Sequence, residues 1–325
     1  MLQSLDYSNI DLIPDTISNI DSRDDIDISA KIGDIRIDIP LIAPPMVDVV
    51  DSEVAKKIYE AGGYSILHRF SSIDEQTKSY LQSPPDVACA IGISKEEQKR
   101  YNQLYDNGCR IFCVDVANGA SERVGKFISQ LDLPDTQIIA GNVASYKGYK
   151  FLAEMKNVVA VRVGIAFGAG CTTKNATGCC SPMASTLAEM SKGRHYKCLS
   201  KKAKVIADGG IREPQDMCKA LALGANITMA GSIIAACVDS PAKTRTDHNG
   251  QVYKIYSGSA SSKIQSIYRE EPKYVEGTTR ELTCNGLKIK ELVRQYGEGL
   301  RSSMSYFGAR SIKQFQKSAQ FSVRY

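Results

Sequence analysis

About eight short apolar runs alternate with amphipathic stretches between residues 40 and 240 of the chain. The runs are 41–43, 64–68, 87–93, 111–116, 137–140, 158–163, 204–207 and 227–230. Because nearly every position in them is apolar, they are typical of parallel strands that are buried on both faces. Between the runs, stretches such as 52–61 and 214–223 carry apolar residues at helical spacing. This alternation predicts an α/β protein with a parallel sheet.

Eight strand–helix units most simply form a (β/α)8 barrel, also called a TIM barrel. A doubly wound open sheet is the alternative that the same alternation permits. A barrel of this kind takes roughly 250 residues, whereas the chain has 325. We therefore expect a single catalytic barrel domain over 1–325, with additional segments at both ends.

Two segments lie outside the barrel pattern. In the N-terminal extension, 1–39, isoleucine alternates with charged residues over 34–39. This alternation predicts a half-exposed strand or hairpin that plugs one end of the barrel. Residues 244–281 are polar, with clusters of Gly, Ser and Lys, and we expect them to form a long loop that acts as a mobile flap. A final helix is predicted over 287–300.

Composition and charge exclude several classes of protein. No apolar run approaches the roughly 20 residues of a membrane span, and the N-terminus lacks the features of a secretory signal. The ten cysteines are scattered without CxxC pairs, so we expect reduced thiols in a cytoplasmic protein. The net charge of +5 is spread along the chain, which argues against a nucleic-acid partner but suits an anionic small molecule.

A glycine-rich loop after the sixth strand contains the first candidate for chemistry. In a parallel barrel the active site lies at the carboxyl ends of the strands, and the loop 164–173 at such an end contains Cys171. A thiolate at this position would be a nucleophile toward an electrophilic carbon. The alternative is a buried structural cysteine, which is the usual situation of a free thiol.

Glycines after the seventh and eighth strands predict a phosphate site. Asp208 is followed by two glycines, and the eighth strand is followed by Gly231 and Ser232. Loops at these two positions commonly bind phosphate in barrels, although ordinary turns also use glycine. Asp208 would accept hydrogen bonds from a sugar or would cap the next helix.

Polar residues after the fourth and fifth strands are candidates for binding a second ligand. They are Asp115, Asn118 and Asn142, and ordinary turn chemistry is the alternative for them. No G-x-G-x-x-G motif follows the first strand, so a nicotinamide cofactor would not be held in the Rossmann manner. The three histidines are widely separated and give no metal-site spacing.

Taken together, the motifs resemble those of the IMP dehydrogenase / GMP reductase family. They are the glycine-rich segment that ends in Cys171-Thr-Thr, then Ile206-Ala-Asp-Gly-Gly-Ile211, Gly231-Ser232 and Tyr256-Ser-Gly-Ser-Ala-Ser261, in family order. The similarity begins at Tyr7-Ser-Asn-Ile-Asp-Leu-Ile-Pro14 and runs nearly to the C-terminus. Each motif alone is weak, but jointly they are highly specific.

Three features are similar to the reductase branch of that family. The segment Asp115-Val-Ala-Asn-Gly119 with Ser121-Glu122 matches the reductase form, no regulatory CBS pair is inserted, and 259–276 is shorter than the dehydrogenase flap. The Arg-Tyr pair of the dehydrogenases occurs only in reverse, as Tyr268-Arg269. An IMP dehydrogenase without the CBS pair is the first alternative, and a nucleotide-binding protein without turnover is the second.

The resemblance implies an NADPH-dependent reductive deamination of GMP to IMP and ammonia by a homotetramer. Cys171 would attack C2 of the guanine ring, and Thr173 and Glu276 would relay protons. The implied substrate-binding residues are Asp208, Gly210, Gly231, Ser232, Tyr256, Ser259, Ala260, Lys273 and Gly277. The resemblance also places the nicotinamide near Asp115, Ala117 and Asn142, and a K⁺ ion at the backbone carbonyls of Ala166, Gly168 and Cys171.

The loop before Cys171 departs from the family pattern. The family usually has Gly-Pro-Gly-Ser where this chain has Ala166-Phe167-Gly168-Ala169. Ala169 cannot donate the hydroxyl hydrogen bond that the serine gives the phosphate, and the loss of such a bond costs about 1.5–3 kcal/mol. The departure leaves another purine nucleotide open as the substrate.

Overall fold

A computed structural model describes residues 4–195, 203–268 and 270–324, so Arg269 of the Tyr268-Arg269 pair lies outside the described residues. The N-terminal segment contains two 3-10 turns, Tyr7–Asn9 and Arg23–Asp25, and three strands, β1 Ile10–Ile13, β2 Ala30–Ile32 and β3 Ile35–Ile37. Strands β2 and β3 form an antiparallel hairpin. One face of it buries Ile32 and Ile37, while Lys31 and Arg36 are exposed on the other, as the period of two in a strand requires.

Eight parallel strands close into a barrel, which confirms the predicted (β/α)8 fold. They are β4 Leu41–Ala43, β5 Tyr64–Leu67, β6 Ala88–Ile91, β7 Ile111–Asp115, β8 Gln137–Val143, β9 Val158–Val163, β10 Lys204–Asp208 and β11 Ile227–Met229. Each strand pairs with the next, and β11 returns to pair with β4. The helices between and after them are α1 Ser52–Glu60, α2 Ile73–Leu81, α3 Lys95–Asp106, α4 Glu122–Ile128, α5 Tyr146–Ala153, α6 Thr173–Thr177, α7 Met183–His195, α8 Pro214–Ala222 and α9 Ser232–Ala235.

Both faces of the barrel strands are buried, which explains why the sequence runs are apolar throughout. Residues such as Ile66 and Ile206 fill the interior of the barrel together with Ile32 and Ile37 of the hairpin. Residues on the outer faces, such as Phe112, pack against the helices. Because the hairpin meets the beginnings of the strands, it closes the amino-terminal end of the barrel. Each fully buried isoleucine contributes about 1.5–3 kcal/mol to folding, and the opposite end stays open for a site.

The segment 244–281 is not the long loop that its composition suggested. It contains β12 Thr244–Thr246, β13 Val252–Ser257, the short helix α10 Ser262–Gln265 and the start of β14 Thr279–Thr283. The three strands form an antiparallel sheet in the order β12-β13-β14. Strand β14 buries none of its residues, so the alternation of apolar and polar side chains that reveals a strand is missing from it.

The C-terminal part returns to the N-terminal segment. Helix α11 spans Ile289–Tyr306 rather than 287–300, and it is followed by α12 Ile312–Ser318 and β15 Gln320–Val323. Strand β15 pairs antiparallel with β1, so the two ends of the described chain lie side by side. Within residues 4–195, 203–268 and 270–324, none of the helices combines the length and the apolar character that a membrane crossing requires.

Candidate active site

The loop between β9 and α6 holds the candidate nucleophile at the open end of the barrel. Gly164 has a φ of +142°, and a Cβ atom there would lie 2.0 Å from the carbonyl oxygen of Asp208. Glycine therefore lets the ends of β9 and β10 approach each other. Further along the loop, the amide of Cys171 donates to the carbonyl of Gly168 over 3.0 Å. This turn leaves the thiol of Cys171 partly exposed, at the end of the barrel where catalysis occurs.

The segment before β14 pairs with this loop through its backbone. Two hydrogen bonds of 2.9 Å join residues 170–172 to residues 276–278, and they place Gly277 opposite Cys171 in an antiparallel bridge. A Cβ atom on Gly277 would come within 2.7 Å of the amide nitrogen of Ser261. The close approach therefore requires glycine at this position, and it fixes the neighbouring side chain of residue 276 beside the thiol.

Cys171, Thr173 and Glu276 form a continuous chain of hydrogen bonds. The thiol of Cys171 donates to Thr173 Oγ1 over 3.2 Å, and Thr173 Oγ1 donates to Glu276 Oε2 over 2.7 Å. All three residues are half-buried, so the chain lies at the boundary between protein and solvent. A thiol, a hydroxyl and a carboxylate in this order can pass a proton between a nucleophile and a general acid or base.

Two adjoining cavities bring together the site residues that the family resemblance implies, whereas the candidate Asn118 is exposed and lines neither cavity. A cavity of ≈ 420 Å³ beside Cys171 falls in the size range of small-molecule sites. Its predicted lining residues are Asp115, Ala117, Asn142, Ala166, Gly168, Cys171, Thr173, Asp208, Tyr256, Ser259, Ala260, Lys273, Glu276 and Gly277. The remaining three, Gly210, Gly231 and Ser232, line a second cavity of ≈ 90 Å³. Asp208, Tyr256 and Ser259 border both cavities, so the two cavities form one connected site.

The smaller cavity offers a hydroxyl donor at Tyr256. Its Oη donates to Met46 Sδ over 3.4 Å, and a thioether is only a weak acceptor. Burial, followed by the charges of Asp208 and Asp48, raises the pKa of Tyr256. The hydroxyl therefore stays protonated and able to donate at neutral pH. Ala169 also lines this cavity, where its methyl group has no hydrogen-bonding capacity.

Comparison with known proteins decides the family to which this site belongs. The model of the IMP dehydrogenase / GMP reductase domain matches residues 4–324. The chain belongs to this family. It is 32% identical to a GMP reductase of Streptococcus agalactiae over 94% of this chain and 91% of the relative. It is 31% identical to a GMP reductase of Lactococcus lactis subsp. lactis over 96% of this chain and 93% of that protein. The resemblance seen in the sequence motifs is thereby confirmed.

The fold is also similar to a solved structure of the family. A GMP reductase variant of Trypanosoma brucei, crystallised with guanosine 5′-monophosphate, superposes with a TM-score of 0.89 at 21% sequence identity. The match covers 100% of this chain and 96% of the other. At this level of identity the likeness establishes the barrel architecture with its end segments, and nothing more.

Sequence reasoning misses a buried ion pair between Arg162 and two of the predicted site carboxylates. Arg162 lies in β9, and its guanidinium contacts Asp115 Oδ1 at 2.7 Å and Asp208 Oδ2 at 2.8 Å. Burial alone would lower the pKa of Arg162, but the neighbouring acidic groups, Asp208 first, outweigh it and raise the pKa. The sequence contains one indication of this ion pair, which is the single charged residue, Arg162, in the apolar run 158–163. Arginine is rarely buried unless it is paired, so its place in a buried strand implies an acidic partner.

Other unpredicted side chains border the large cavity beyond Asp115. Phe70 and Tyr268 stack with their ring centroids 5.7 Å apart, and Arg69 Nε lies 3.7 Å from Asp115 Oδ2. No sequence feature separates Phe70 from an ordinary core aromatic residue. Among the residues that the structure describes, no group of three or more His, Cys, Asp or Glu side chains is arranged to bind a metal ion.

Proposed function

We propose that the protein is an NADPH-dependent GMP reductase, which converts GMP to IMP and ammonia. The hydrogen-bonded chain from Cys171 through Thr173 to Glu276 carries this proposal, because it connects a nucleophile to a proton donor beside the large cavity. Relatives named GMP reductase align with nearly the whole chain and support the same assignment.

The proposed reaction begins with attack of the Cys171 thiolate on C2 of the guanine ring, which forms a carbon–sulfur bond. The bond between C2 and the exocyclic amino nitrogen then breaks, and the nitrogen leaves as ammonia after it receives a proton. Glu276 takes the proton of the Cys171 thiol through Thr173 as the thiolate forms, and it then returns this proton through Thr173 to the leaving nitrogen. NADPH, when bound, supplies the hydride that replaces the amino group. Departure of the Cys171 thiolate from C2 releases IMP and restores the nucleophile.

The substrate would lie across both cavities, with its ribose at Asp208. Asn142 and Arg162 both contact Oδ2 of Asp208, so Oδ1 is available to accept a hydrogen bond from a ribose hydroxyl. We assign the phosphate to Gly210, Gly231, Ser232 and Tyr256, which border the smaller cavity. We assign the purine base to Ser259, Ala260, Lys273 and Gly277, which line the larger cavity beside Cys171.

We place the nicotinamide in the same large cavity, next to Asp115, Ala117 and Asn142. Two observations support the fit. The cavity has the volume of a small-molecule site, and the Phe70–Tyr268 pair gives it an aromatic border. The polar atoms of Asp115 and Asn142 would orient the carboxamide and ribose groups.

We also assign a K⁺ ion to the backbone carbonyls of Ala166, Gly168 and Cys171. These three groups belong to one short loop, and alanine at 166 keeps the carbonyl even though the family usually has glycine there. The carbonyl of Gly168 accepts the amide of Cys171, but a carbonyl oxygen has a second lone pair that can bind a cation. Oxygen ligands of this kind suit hard monovalent and divalent cations.

Within the part of the chain that the structure describes, no arginine from 262–280 borders the cavity beside Cys171. A dehydrogenase of the family would need an arginine from 262–280 close enough to activate water near the thiol. In the described parts of that range, 262–268 and 270–280, the arginine is Arg280, which is exposed in β14. Arg280 does not border the cavity that contains Cys171.

The test is a measurement of nicotinamide absorbance with K⁺ present and two substrate pairs. With GMP and NADPH, loss of NADPH absorbance together with release of ammonia would establish the reductase. With IMP and NAD⁺, appearance of NADH and XMP would establish the dehydrogenase instead. If neither pair reacts, other purine nucleotides are the next substrates, because Ala169 alters the predicted phosphate contact.

A further inference from the structure

We propose that Arg162 is a positioning residue that joins Asp208 and Asp115 into one unit and so couples nucleotide binding to cofactor binding. The inference rests on the proposed function, because that function assigns Asp208 to the nucleotide and Asp115 to the cofactor. Neither carboxylate lies on the strand that holds Arg162. The three residues come from β7, β9 and β10 and meet at the open end of the barrel.

The guanidinium of Arg162 contacts Asp115 with one edge and Asp208 with the other, and so bridges the two carboxylates. Its Nη1 lies 2.7 Å from Asp115 Oδ1, and on its other edge Nε and Nη2 lie 3.0 and 2.8 Å from Asp208 Oδ2. The guanidinium side chain is only 8% exposed. Because the guanidinium group is planar and rigid, its two edges keep a fixed relation. A rotation of one carboxylate therefore shifts the hydrogen bonds of the other.

In the described part of the chain, the hydrogen-bond partners of Asp208 contact only one of its two carboxylate oxygens. Asn142 Nδ2 also donates to Oδ2, over 2.7 Å, so both protein partners lie on the same oxygen and Oδ1 can receive the ligand. Without the guanidinium, two carboxylates that are each 15% exposed would stand close together without a shared cation. Asp208 would then take up a proton or turn toward solvent, and its orientation toward the ribose would be lost.

Coupling follows from the shared bridge. A nucleotide that binds Oδ1 holds Asp208 in place, which also holds Arg162 and, through it, Asp115. A cofactor that binds at Asp115 then meets a carboxylate that is already oriented. Such a relation is reciprocal, so the cofactor must raise the affinity for the nucleotide by the same factor.

The test measures binding without turnover, in the Cys171→Ala background. Isothermal titration gives the Kd of GMP, dGMP and IMP with and without saturating NADPH, for the parent and for Arg162→Gln and Arg162→Lys. In the parent, NADPH is expected to lower the Kd of GMP by about fivefold or more, as allosteric coupling usually does. In Arg162→Gln the Kd of GMP should rise about 10- to 100-fold, the effect of losing one hydrogen bond to a charged group. The effect of NADPH should disappear.

Arg162→Lys keeps the positive charge at the same position in β9, but its ammonium group lacks the two edges with which the guanidinium contacts both carboxylates. It should recover part of the affinity for GMP while leaving the NADPH effect weak. The double variant Arg162→Gln/Asp208→Asn should bind GMP with about the same Kd as the weaker of the two single variants. The two effects should not add, because the arginine acts through that carboxylate. A purely structural role would instead lower the binding stoichiometry and the thermal midpoint while leaving the Kd of the folded fraction unchanged.

The outcomes separate the two proposals. If the parent binds GMP but Arg162→Gln or Arg162→Lys keeps both the parent Kd and the NADPH effect, this inference is overturned and the proposed function stands. If the parent binds none of the three nucleotides, the proposed function fails and the inference falls with it. If Arg162→Gln does not fold, Arg162→Lys decides the matter. A lysine cannot hold both carboxylates as the guanidinium does, so an unchanged effect of NADPH on the Kd of GMP in Arg162→Lys would overturn the inference.

Discussion

Thr173 Oγ1 donates to Glu276 Oε2 over 2.7 Å although the two residues are 103 positions apart in the chain. Thr173 begins α6, whereas Glu276 precedes β14. The backbone pairing between 170–172 and 276–278 brings them together beside Cys171. The proposed proton relay is therefore complete only while the C-terminal segment is paired with the loop that holds Cys171.

The first prediction concerns the nucleophile itself. Cys171→Ala is expected to abolish turnover, by about 10³-fold or more as for other nucleophiles, because no carbon–sulfur bond can form. Binding of GMP should persist, because the residues assigned to ribose and phosphate are unchanged. The measurement is NADPH consumption together with titration of GMP. Cys179→Ala is the matched control, since Cys179 is exposed and does not line either cavity. Substantial turnover by Cys171→Ala would refute the nucleophile.

The second prediction concerns the relay. Glu276→Gln removes the proton donor and should lower kcat by about 10²- to 10⁴-fold, the usual contribution of general acid–base catalysis. The KM for GMP should change little, because the assigned nucleotide contacts lie elsewhere. Thr173→Val should lower kcat similarly, whereas Thr173→Ser keeps the hydroxyl and should retain most of it. Equal loss in the valine and serine variants would show that the hydroxyl does not carry the proton.

The barrel could be predicted from the sequence because its strands are buried on both faces and are therefore apolar at nearly every position. The runs 111–116 and 158–163, for example, are nearly all apolar, and the structure has β7 and β9 there. The sheet that contains β14 could not be predicted in this way. All its residues are at least partly exposed, so hydrophobic periodicity carries no information about it.

Some residues of the candidate site could likewise be predicted from the sequence, and others could not. Cys171, Asp208 and other residues on glycine-rich loops were predictable, because their motifs combine chemistry with backbone requirements. Arg162 and Phe70 were not, since each contacts a partner that the fold brings from a distant part of the chain. A charge inside an apolar strand indicates that a partner exists but does not identify it.

The third prediction tests the departure in the phosphate loop. Ala169→Ser restores a hydroxyl at the border of the smaller cavity. If the phosphate lies there, the Kd of GMP should fall about tenfold or more, as expected for a hydrogen bond to a charged group. Titration with guanosine is the control, because a nucleoside without phosphate should gain nothing. An equal gain for guanosine would place the new contact on another part of the ligand.

The fourth prediction concerns backbone strain at Ala166. This residue has a φ of +64°, and the left-handed region costs a residue with a Cβ atom about 1–2 kcal/mol. Ala166→Gly should remove that cost, and the greater freedom of glycine in the unfolded chain offsets about 0.4–1 kcal/mol of it. Denaturant unfolding should therefore show a net gain of up to about 1.6 kcal/mol. Ala169→Gly, at an ordinary backbone position, should instead lose stability.

The fifth prediction follows from the environment of His68. Its Nδ1 is buried without a hydrogen-bond partner in the described part of the chain, and burial lowers the pKa of the imidazole below its usual value. The unfolded chain, with a histidine pKa of about 6.5, therefore takes up the proton first as the pH falls. The resulting stability is fully present above that value and is lost as the pH falls toward the folded-state pKa.

His68→Gln removes this titration, so the free energy of unfolding should depend less steeply on pH for the variant than for the parent. Denaturant unfolding at several values between about pH 7.5 and 5 measures the two slopes. The exposed His248 provides the control, and His248→Gln should follow the parent. Parallel curves for the parent and His68→Gln would contradict the assignment, because they would mean that His68 binds its proton equally well in the folded and unfolded states.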